Sequence, residues 1–277
     1  EALVRVFNPH PDLDGWHSHR TIIYFCHTDI PFLVDSLRMA LNRLDLNIQL
    51  FESNPLRVLR NAEGCLLQVC ESANQDAITE DHGFIVVDAM TDQTEHLNIR
   101  EEVLTTIGHV SIIVSDFQPM LEHIDEVIAE YSQLNSKPNN DSDLENLEFL
   151  HWLRDGNFTF LGSADFRFVD QSSDSTMCEL SDSRLGLLKI REKLPDAKIS
   201  SLSRGFADFY KGGEDLAFAK SSVRSTVHRD TYPDYVVVKR YEGNRVIGET
   251  RFLGLYTARL YHLSIEQIPL VRKKAKW

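Results

Sequence analysis

The amino-acid sequence predicts an α+β fold in two parts, and three observations support this class. Between residues 20 and 115, β-branched segments alternate with two segments of helical periodicity, which predicts an antiparallel sheet covered by helices on one face. Residues 136–143 are polar, contain a proline and offer no apolar side chain to bury, so they predict a domain boundary. The residues after this boundary are rich in predicted strands, which indicates a second mixed α/β module.

The first part begins with residues 1–19, where two prolines and a glycine are turn signals and predict an irregular arm. Residues 21–26 are β-branched and aromatic, which is typical of a buried strand. Thr28 and Asp29 followed by Pro31 are a start signal for a helix in which leucines recur every three or four residues. Further strands are predicted at 46–50, 56–59, 65–69 and 84–87.

A second helix follows, and Gly108 is placed to end it. Residues 109–114 either form a closing strand or continue that helix. In the second part, helices are predicted at 120–134 and 144–153, the latter ended by Gly156. Its strands are predicted at 158–168, 235–238 and 245–252, the last two joined by a turn at Glu242-Gly243-Asn244. The predicted domains are 1–19, 20–115, 116–143, 144–264 and 265–277, and the last is expected to start a helix that leads into a longer chain.

Composition excludes several classes of protein. Asp and Glu number 42 against 29 Lys and Arg, a net charge of −13, whereas a general nucleic-acid binder needs a basic surplus. The uncharged stretch at 103–115 is too short to span a bilayer, so no membrane partner is expected. Four cysteines do not form a disulfide scaffold and no signal peptide is evident, which predicts a cytoplasmic location.

The charge is unevenly distributed along the chain. Residues 220–277 carry 12 Lys and Arg against 5 Asp and Glu, a net of +7. Residues 1–219 carry 17 against 37, a net of −20. This asymmetry indicates either an anionic partner for the basic part or a basic face in solvent, and the sequence leaves both open.

The common motifs of catalysis are absent from the sequence. It has no glycine-rich phosphate loop, no H-E-x-x-H and no G-x-S-x-G, so we assign no catalytic and no cofactor-binding residue. His17, His19 and Cys26 offer too few ligands at too irregular a spacing, so no metal site is assigned. Cys65 and Cys70 lie five residues apart, on opposite faces of a strand, which argues against a redox pair.

Two segments are nevertheless candidate binding sites. The first is Thr28, Asp29, Ile30 and Pro31, where a strand delivers the chain to a helix N-terminus whose free amides suit an effector carboxylate. Simple capping of the helix is the alternative.

The second segment is a basic run that suits an anion or an acidic surface of another domain. Its residues are Lys220, Arg224, Ser225, Thr226, His228 and Arg229. The alternative is an edge strand that its charges protect from aggregation. A small hydrolase using Ser225 and His228 is a further alternative, although an oxyanion hole and an orienting carboxylate are not evident.

Residues 28–36, Thr-Asp-Ile-Pro-Phe-Leu-Val-Asp-Ser, resemble the D-x-P-F-L-V-D-S stretch near the N-terminus of the large bacterial NAD-specific glutamate dehydrogenases. Nearly the whole chain shares this resemblance. Other similar segments, in the same order, are 5–9 with Gly15-Trp16, 116–120, 149–153 leading into 157–162, 224–229, 234–235, 248–255 and 268–270.

The resemblance implies an N-terminal regulatory and assembly segment without catalysis of its own. It implies an ACT-like βαββαβ unit at 20–115 and a second mixed α/β module of PAS-like form at 144–264. The parent enzyme would convert L-glutamate to 2-oxoglutarate and ammonia with NAD, which binds outside this segment, so no cofactor is expected here. The implied partners are the rest of the parent chain and a homo-oligomer, with an amino acid or carboxylate as an effector.

The resemblance also implies a limit on effector binding. ACT domains that bind amino acids commonly carry a glycine directly after the D-x-P residues, and Phe32 stands at that position here. Its ring would crowd such a pocket, which favours a scaffold over a sensor. A free-standing module that senses an amino acid or an anion is the alternative function.

Overall fold

The computed structural model describes residues 2–71, 76–134, 141–169, 176–179, 181–190, 209 and 212–275. The chain divides into two compact units. Unit 1 comprises residues 1–111 and 225–230, and unit 2 comprises residues 112–224 and 231–277. Each unit contains an antiparallel sheet and helices, so the predicted mixed class with antiparallel sheets is confirmed.

The sheet of unit 1 has five antiparallel strands in the order β1-β2-β5-β3-β4. Two longer helices, α2 and α3, supply the apolar side chains that cover it. The elements are β1 (Leu3–Phe7), α1 (Pro11–Asp14), β2 (Thr21–Thr28), α2 (Leu33–Arg43), β3 (Ile48–Arg60), β4 (Leu66–Val69), β5 (Ile78–Val87) and α3 (Gln93–Ser115).

Alternation along β2 and β5 places one set of side chains on the helices and leaves another on the opposite face. Ile23, Phe25 and Ile85 are buried in a core with the leucines of α2. Gly83 lies opposite Phe25, and a Cβ on it would fall 1.7 Å from the Phe25 ring, so only glycine lets the ring lie against this strand. Because neighbouring residues point to opposite faces, Cys26 lies on the face away from the helices.

Two strands differ from the sequence prediction. Residues 1–19 are not wholly irregular, because β1 pairs with β2 and buries Val4 in the core. The strands predicted at 46–50 and 56–59 form the single strand β3, which contains Pro55. β4 pairs with β3 only from Val58 onward, so the proline interrupts no hydrogen bond on that side.

The second helix is longer than predicted. Gly108 does not end it, and residues 109–114 continue α3 to Ser115 instead of forming a closing strand. Val110 and Ile113 are fully or almost fully buried, so the apolar face persists beyond the glycine. The flexibility of one glycine is outweighed by this burial.

Unit 2 contains a sheet in the order β7-β6-β11-β10-β9, with β8 paired to β6. The buried face of α4 packs against β6, and the predicted hairpin is confirmed, with Gly243 at a φ of 59° in its turn. The elements are α4 (Phe117–Leu134), α5 (Asp141–Trp152), β6 (Phe158–Val169), β7 (Thr176–Glu179), β8 (Leu185–Gly186), β9 (Leu216–Lys220), β10 (Asp234–Glu242), β11 (Arg245–Tyr256) and α6 (Val271–Ala275).

The division between the units falls earlier than the predicted boundary at 136–143. α4 belongs to unit 2, residues 135–140 lie outside the described residues, and residues 141–143 begin α5. Within the described part of the chain, none of the helices has the length and apolar character needed to cross a bilayer.

Candidate functional site

The turn between β2 and α2 contains the first candidate site, Thr28 to Pro31. Thr28 and Asp29 are exposed, and the Asp29 N–H donates to the carbonyl of Thr79 at 2.9 Å. α2 begins at Leu33 and no side chain caps it, so the predicted capping by Asp29 is wrong. The reason is an additional turn at residues 31–32, which separates Asp29 from the start of the helix.

Phe32 determines the shape of this turn. Its φ of 68° is left-handed, a conformation that costs about 1–2 kcal/mol for a residue with a Cβ. Its carbonyl accepts hydrogen bonds from the N–H of Ser36 at 3.0 Å and from the Ser36 hydroxyl at 2.5 Å. The buried Ser36 thus holds the left-handed residue in place.

Residues 225–230, from the second candidate site, form a compact turn around the buried Val227. The Ser225 hydroxyl donates to the Val227 carbonyl at 2.7 Å and accepts from the Val227 N–H at 3.1 Å. The Arg229 N–H also donates to that carbonyl, at 2.9 Å. Because the Ser225 proton is committed to the main chain, this geometry offers no serine activated by His228.

The two candidate sites meet within unit 1. The N–H of His228 donates to the Ser36 hydroxyl oxygen at 3.1 Å. The imidazole of His228 lies against the Phe32 ring, with centroids 4.6 Å apart and planes inclined by 52°. The turn before α2 and the basic run were predicted as separate sites, but residues 225–230 cover the first turn of α2.

A second contact fixes the same segment on α3. The Thr226 hydroxyl lies 2.9 Å from Nδ1 of His109. Burial lowers the pKa of His109, and the nearby Arg43 lowers it further. A neutral imidazole therefore forms this hydrogen bond at neutral pH.

His228 is also kept neutral. Burial lowers its pKa and Arg229 acts in the same direction, while Asp35 acts in the opposite one. Its Nδ1 is buried and has no hydrogen-bond partner among the described residues. An uncharged ring that packs on Phe32 contributes little to binding an anion, which weighs against the predicted anion site at this position.

The cations of the remaining basic run have local partners in unit 2. Lys220 Nζ lies 2.8 Å from the carboxylate of Asp234 and 3.4 Å from the carbonyl of Tyr232. The Arg224 guanidinium lies over the ring of Tyr232, 5.1 Å from its centroid. The basic run is thus divided between the two units.

Asp116 has a clear structural role in unit 2. It is the first residue of the similar segment 116–120. Its carboxylate accepts from the N–H of Gly186 at 2.7 Å and from Lys189 Nζ at 2.8 Å. Gly186 has a φ of 58°, and a Cβ on it would overlap the Leu161 carbonyl oxygen at 2.3 Å. The carboxylate therefore anchors a tight turn against β6.

One group with the chemistry of a metal site was missed by the sequence analysis. Cys26 lies with Glu80 and His82 of β5, and each offers a ligand atom within 4.8 Å of the others. His17 and His19 contact each other ring edge to face, with centroids 4.6 Å apart. Glu80 and His82 lie more than fifty residues from Cys26 in sequence, so ligand spacing gave no signal.

Comparison with known proteins identifies relatives of the chain. Residues 1–103 match the family described as glutamate dehydrogenase, ACT1 domain. The chain is 33% identical over 274 residues to the NAD-specific glutamate dehydrogenase of Pseudomonas aeruginosa, and 34% identical over 276 residues to that of Halomonas elongata. Each comparison covers 98% of this chain but 17% of the relative. The predicted resemblance is confirmed.

Proposed function

Residues 1–103 match the family described as glutamate dehydrogenase, ACT1 domain, and from this match we propose that the chain is a regulatory and assembly segment of such an enzyme. The parent polypeptide would convert L-glutamate to 2-oxoglutarate and ammonia, with NAD bound outside this segment. The segment performs no catalysis itself and acts through the rest of the parent chain and its oligomer. This proposal places the parent enzyme in the cytoplasm.

The combination of sheet and helices in unit 1 is consistent with this proposal. Unit 1 combines a five-stranded antiparallel sheet with two covering helices, which suits an ACT-like unit at 20–115. We retain the second module at 144–264, with a PAS-like form, as a proposal. The helix and linker at 116–143 and the terminal segment at 265–277 complete this proposed organisation.

The observation that carries the proposal is the covered first turn of α2. An amino-acid effector at Thr28 to Pro31 would direct its carboxylate to the amides at the start of this helix. Here the His228 ring lies on Phe32 and the Ser36 hydroxyl already accepts from the His228 N–H. This arrangement favours a structural role for the turn over effector binding.

Two measurements on the purified chain test the proposal. Calorimetric titration with L-glutamate or L-aspartate at millimolar concentration should give no saturable heat. Saturable binding would overturn the scaffold role and support the alternative, an amino-acid sensor. The same chain should form no NADH from glutamate and NAD, and formation of NADH would overturn the non-catalytic assignment.

Variants in the parent enzyme test the assembly role. We expect His228→Ala to change the distribution of oligomers in sedimentation velocity. The matched control is His151→Ala, because His151 is exposed on α5. Identical sedimentation of the wild type and both variants would remove the covered turn from any role in assembly.

A further inference from the structure

We propose that Cys26, Glu80 and His82 form a zinc site on the face of the unit 1 sheet opposite α2 and α3. The inference does not depend on the function proposed above. It rests on the positions of three donor atoms, on the groups that orient them and on their chemical type.

The pairing of β2 with β5 brings the three side chains together. Cys26 lies directly opposite His82 in the antiparallel register. Glu80 precedes His82 by two residues and therefore points to the same face. Cys26 and Glu80 are 5% and 6% exposed, and both strands are interior to the sheet, so the donors lie on rigid backbone.

The distances between the donor atoms match one face of a tetrahedral site. Cys26 Sγ lies 3.3 Å from Glu80 Oε2 and 3.7 Å from His82 Nε2, and the two latter atoms are 3.4 Å apart. Ordinary zinc–ligand bond lengths at tetrahedral angles give separations of about 3.4–3.6 Å. The His82 side chain is 17% exposed, and a water molecule would be the fourth ligand.

Neighbouring side chains orient two of the donors. The Tyr24 hydroxyl lies 2.7 Å from Nδ1 of His82, so a proton on Nδ1 leaves the Nε2 lone pair facing the other donors. Arg60 donates through Nε to Oε1 of Glu80 at 2.6 Å and through Nη2 to Oε2 at 2.7 Å. Arg60 also donates to the carbonyl of Gly64 at 2.8 Å, so the carboxylate is held by an anchored group.

Charge and ligand type decide which cation fits. Binding replaces the S–H bond of Cys26 by an S–Zn bond and releases the proton to solvent. Arg60 already balances the charge of Glu80 and its Nη2 lies 3.6 Å from Cys26 Sγ, so a hard cation that depends on carboxylates is disfavoured. A set of one sulfur, one imidazole nitrogen and one oxygen suits zinc.

Cobalt(II), which reports thiolate ligation by a charge-transfer band, is the probe for the first test. One equivalent added to the purified chain should produce this band. Cys26→Ser should abolish it, while Cys65→Ser should retain it, because Cys65 is an exposed thiol outside the cluster. Absence of the band in the wild type would show that the three side chains form only a hydrogen-bonded network, and it would overturn the proposed site. A band that persists in Cys26→Ser would also overturn the proposed site.

Thermal unfolding with zinc is the second test, because Cys26→Ser alters a buried position. Zinc at one equivalent should raise the Tm of the wild type and of Cys65→Ser but not of His82→Gln. Far-ultraviolet circular dichroism establishes that each variant is folded. An equal rise in His82→Gln would overturn the assignment of that ligand and with it the proposed site.

Discussion

The rings of Phe32 and His228 lie 4.6 Å apart, and both residues have left-handed backbone, with φ of 68° and 70°. Residues with a Cβ adopt this conformation only where neighbouring contacts hold them there. Ser36 supplies those contacts, since its hydroxyl donates to the Phe32 carbonyl and accepts from the His228 N–H. The pair therefore stores backbone strain at the start of α2.

Two substitutions at one position measure this strain. His228→Ala removes the imidazole but keeps the free-energy cost of a left-handed backbone for a residue with a Cβ. His228→Gly removes both the imidazole and that cost. We expect the glycine variant to have the higher free energy of unfolding, by about 1 kcal/mol. Urea unfolding of the two variants measures the difference. A more stable alanine variant would show that residue 228 is not left-handed in solution.

Acidification should destabilise unit 1 through His109 and His228. The pKa of each is lowered from 6.5 by burial, so the unfolded chain takes up protons first as the pH falls. Stability is therefore complete above about pH 6.5 and is lost as the pH falls through the lowered values. We expect the stability lost between pH 7.5 and 5.5 to be smaller in His109→Gln, which keeps a neutral partner for Thr226. An unchanged loss would contradict the burial of His109.

Two glycine-to-alanine substitutions should act in opposite directions. Gly83→Ala places a methyl group against the Phe25 ring, which should lower the free energy of unfolding by about 1–3 kcal/mol. Gly108→Ala meets nothing within 4 Å inside α3 and should raise it by about 0.5–1 kcal/mol. Chemical denaturation of both variants tests the pair. A stabilising Gly83→Ala would refute the contact with Phe25.

Replacing Asp116 should lower the free energy of unfolding more than replacing Lys189, its partner in the ion pair. Asp116→Ala leaves the Gly186 N–H without its acceptor and should cost about 1.5–3 kcal/mol. Lys189→Met removes only the ion pair of a side chain that is 45% exposed, so we expect less than about 1 kcal/mol. Comparison of the two unfolding midpoints decides between these effects. Equal losses would mean that the ion pair, and not the turn at Gly186, is what Asp116 supports.

Sequence periodicity predicted the elements whose structure follows from their own local pattern of side chains. The leucines of α2 and the hairpin around Gly243 are where the sequence analysis placed them. β1 escaped prediction because its five residues are stabilised by pairing with β2, a tertiary contact. The prediction that Gly108 ends the second helix was wrong because the helix-ending tendency of one glycine is weaker than the continued burial of apolar side chains along α3.

The candidate sites were predictable as segments but not as neighbours. The D-x-P turn and the basic run stand out in sequence, yet nothing in their spacing indicates that His228 lies on Phe32. Glu80 and His82 gave no such signal, because they stand in a run of consecutive polar residues, 79–82, without a ligand motif. Only strand register reveals that Cys26 lies opposite them.

The hydrogen bond between Ser36 and His228 joins residues 192 positions apart. A ribosome delivers the whole sheet of unit 1 long before it delivers residues 225–230, and these arrive after most of unit 2 has been synthesised. The first turn of α2 therefore stays uncovered until residues 225–230 have been synthesised. Closing so long a loop also slows the completion of unit 1, so its sheet is synthesised early but the contact between Ser36 and His228 forms late.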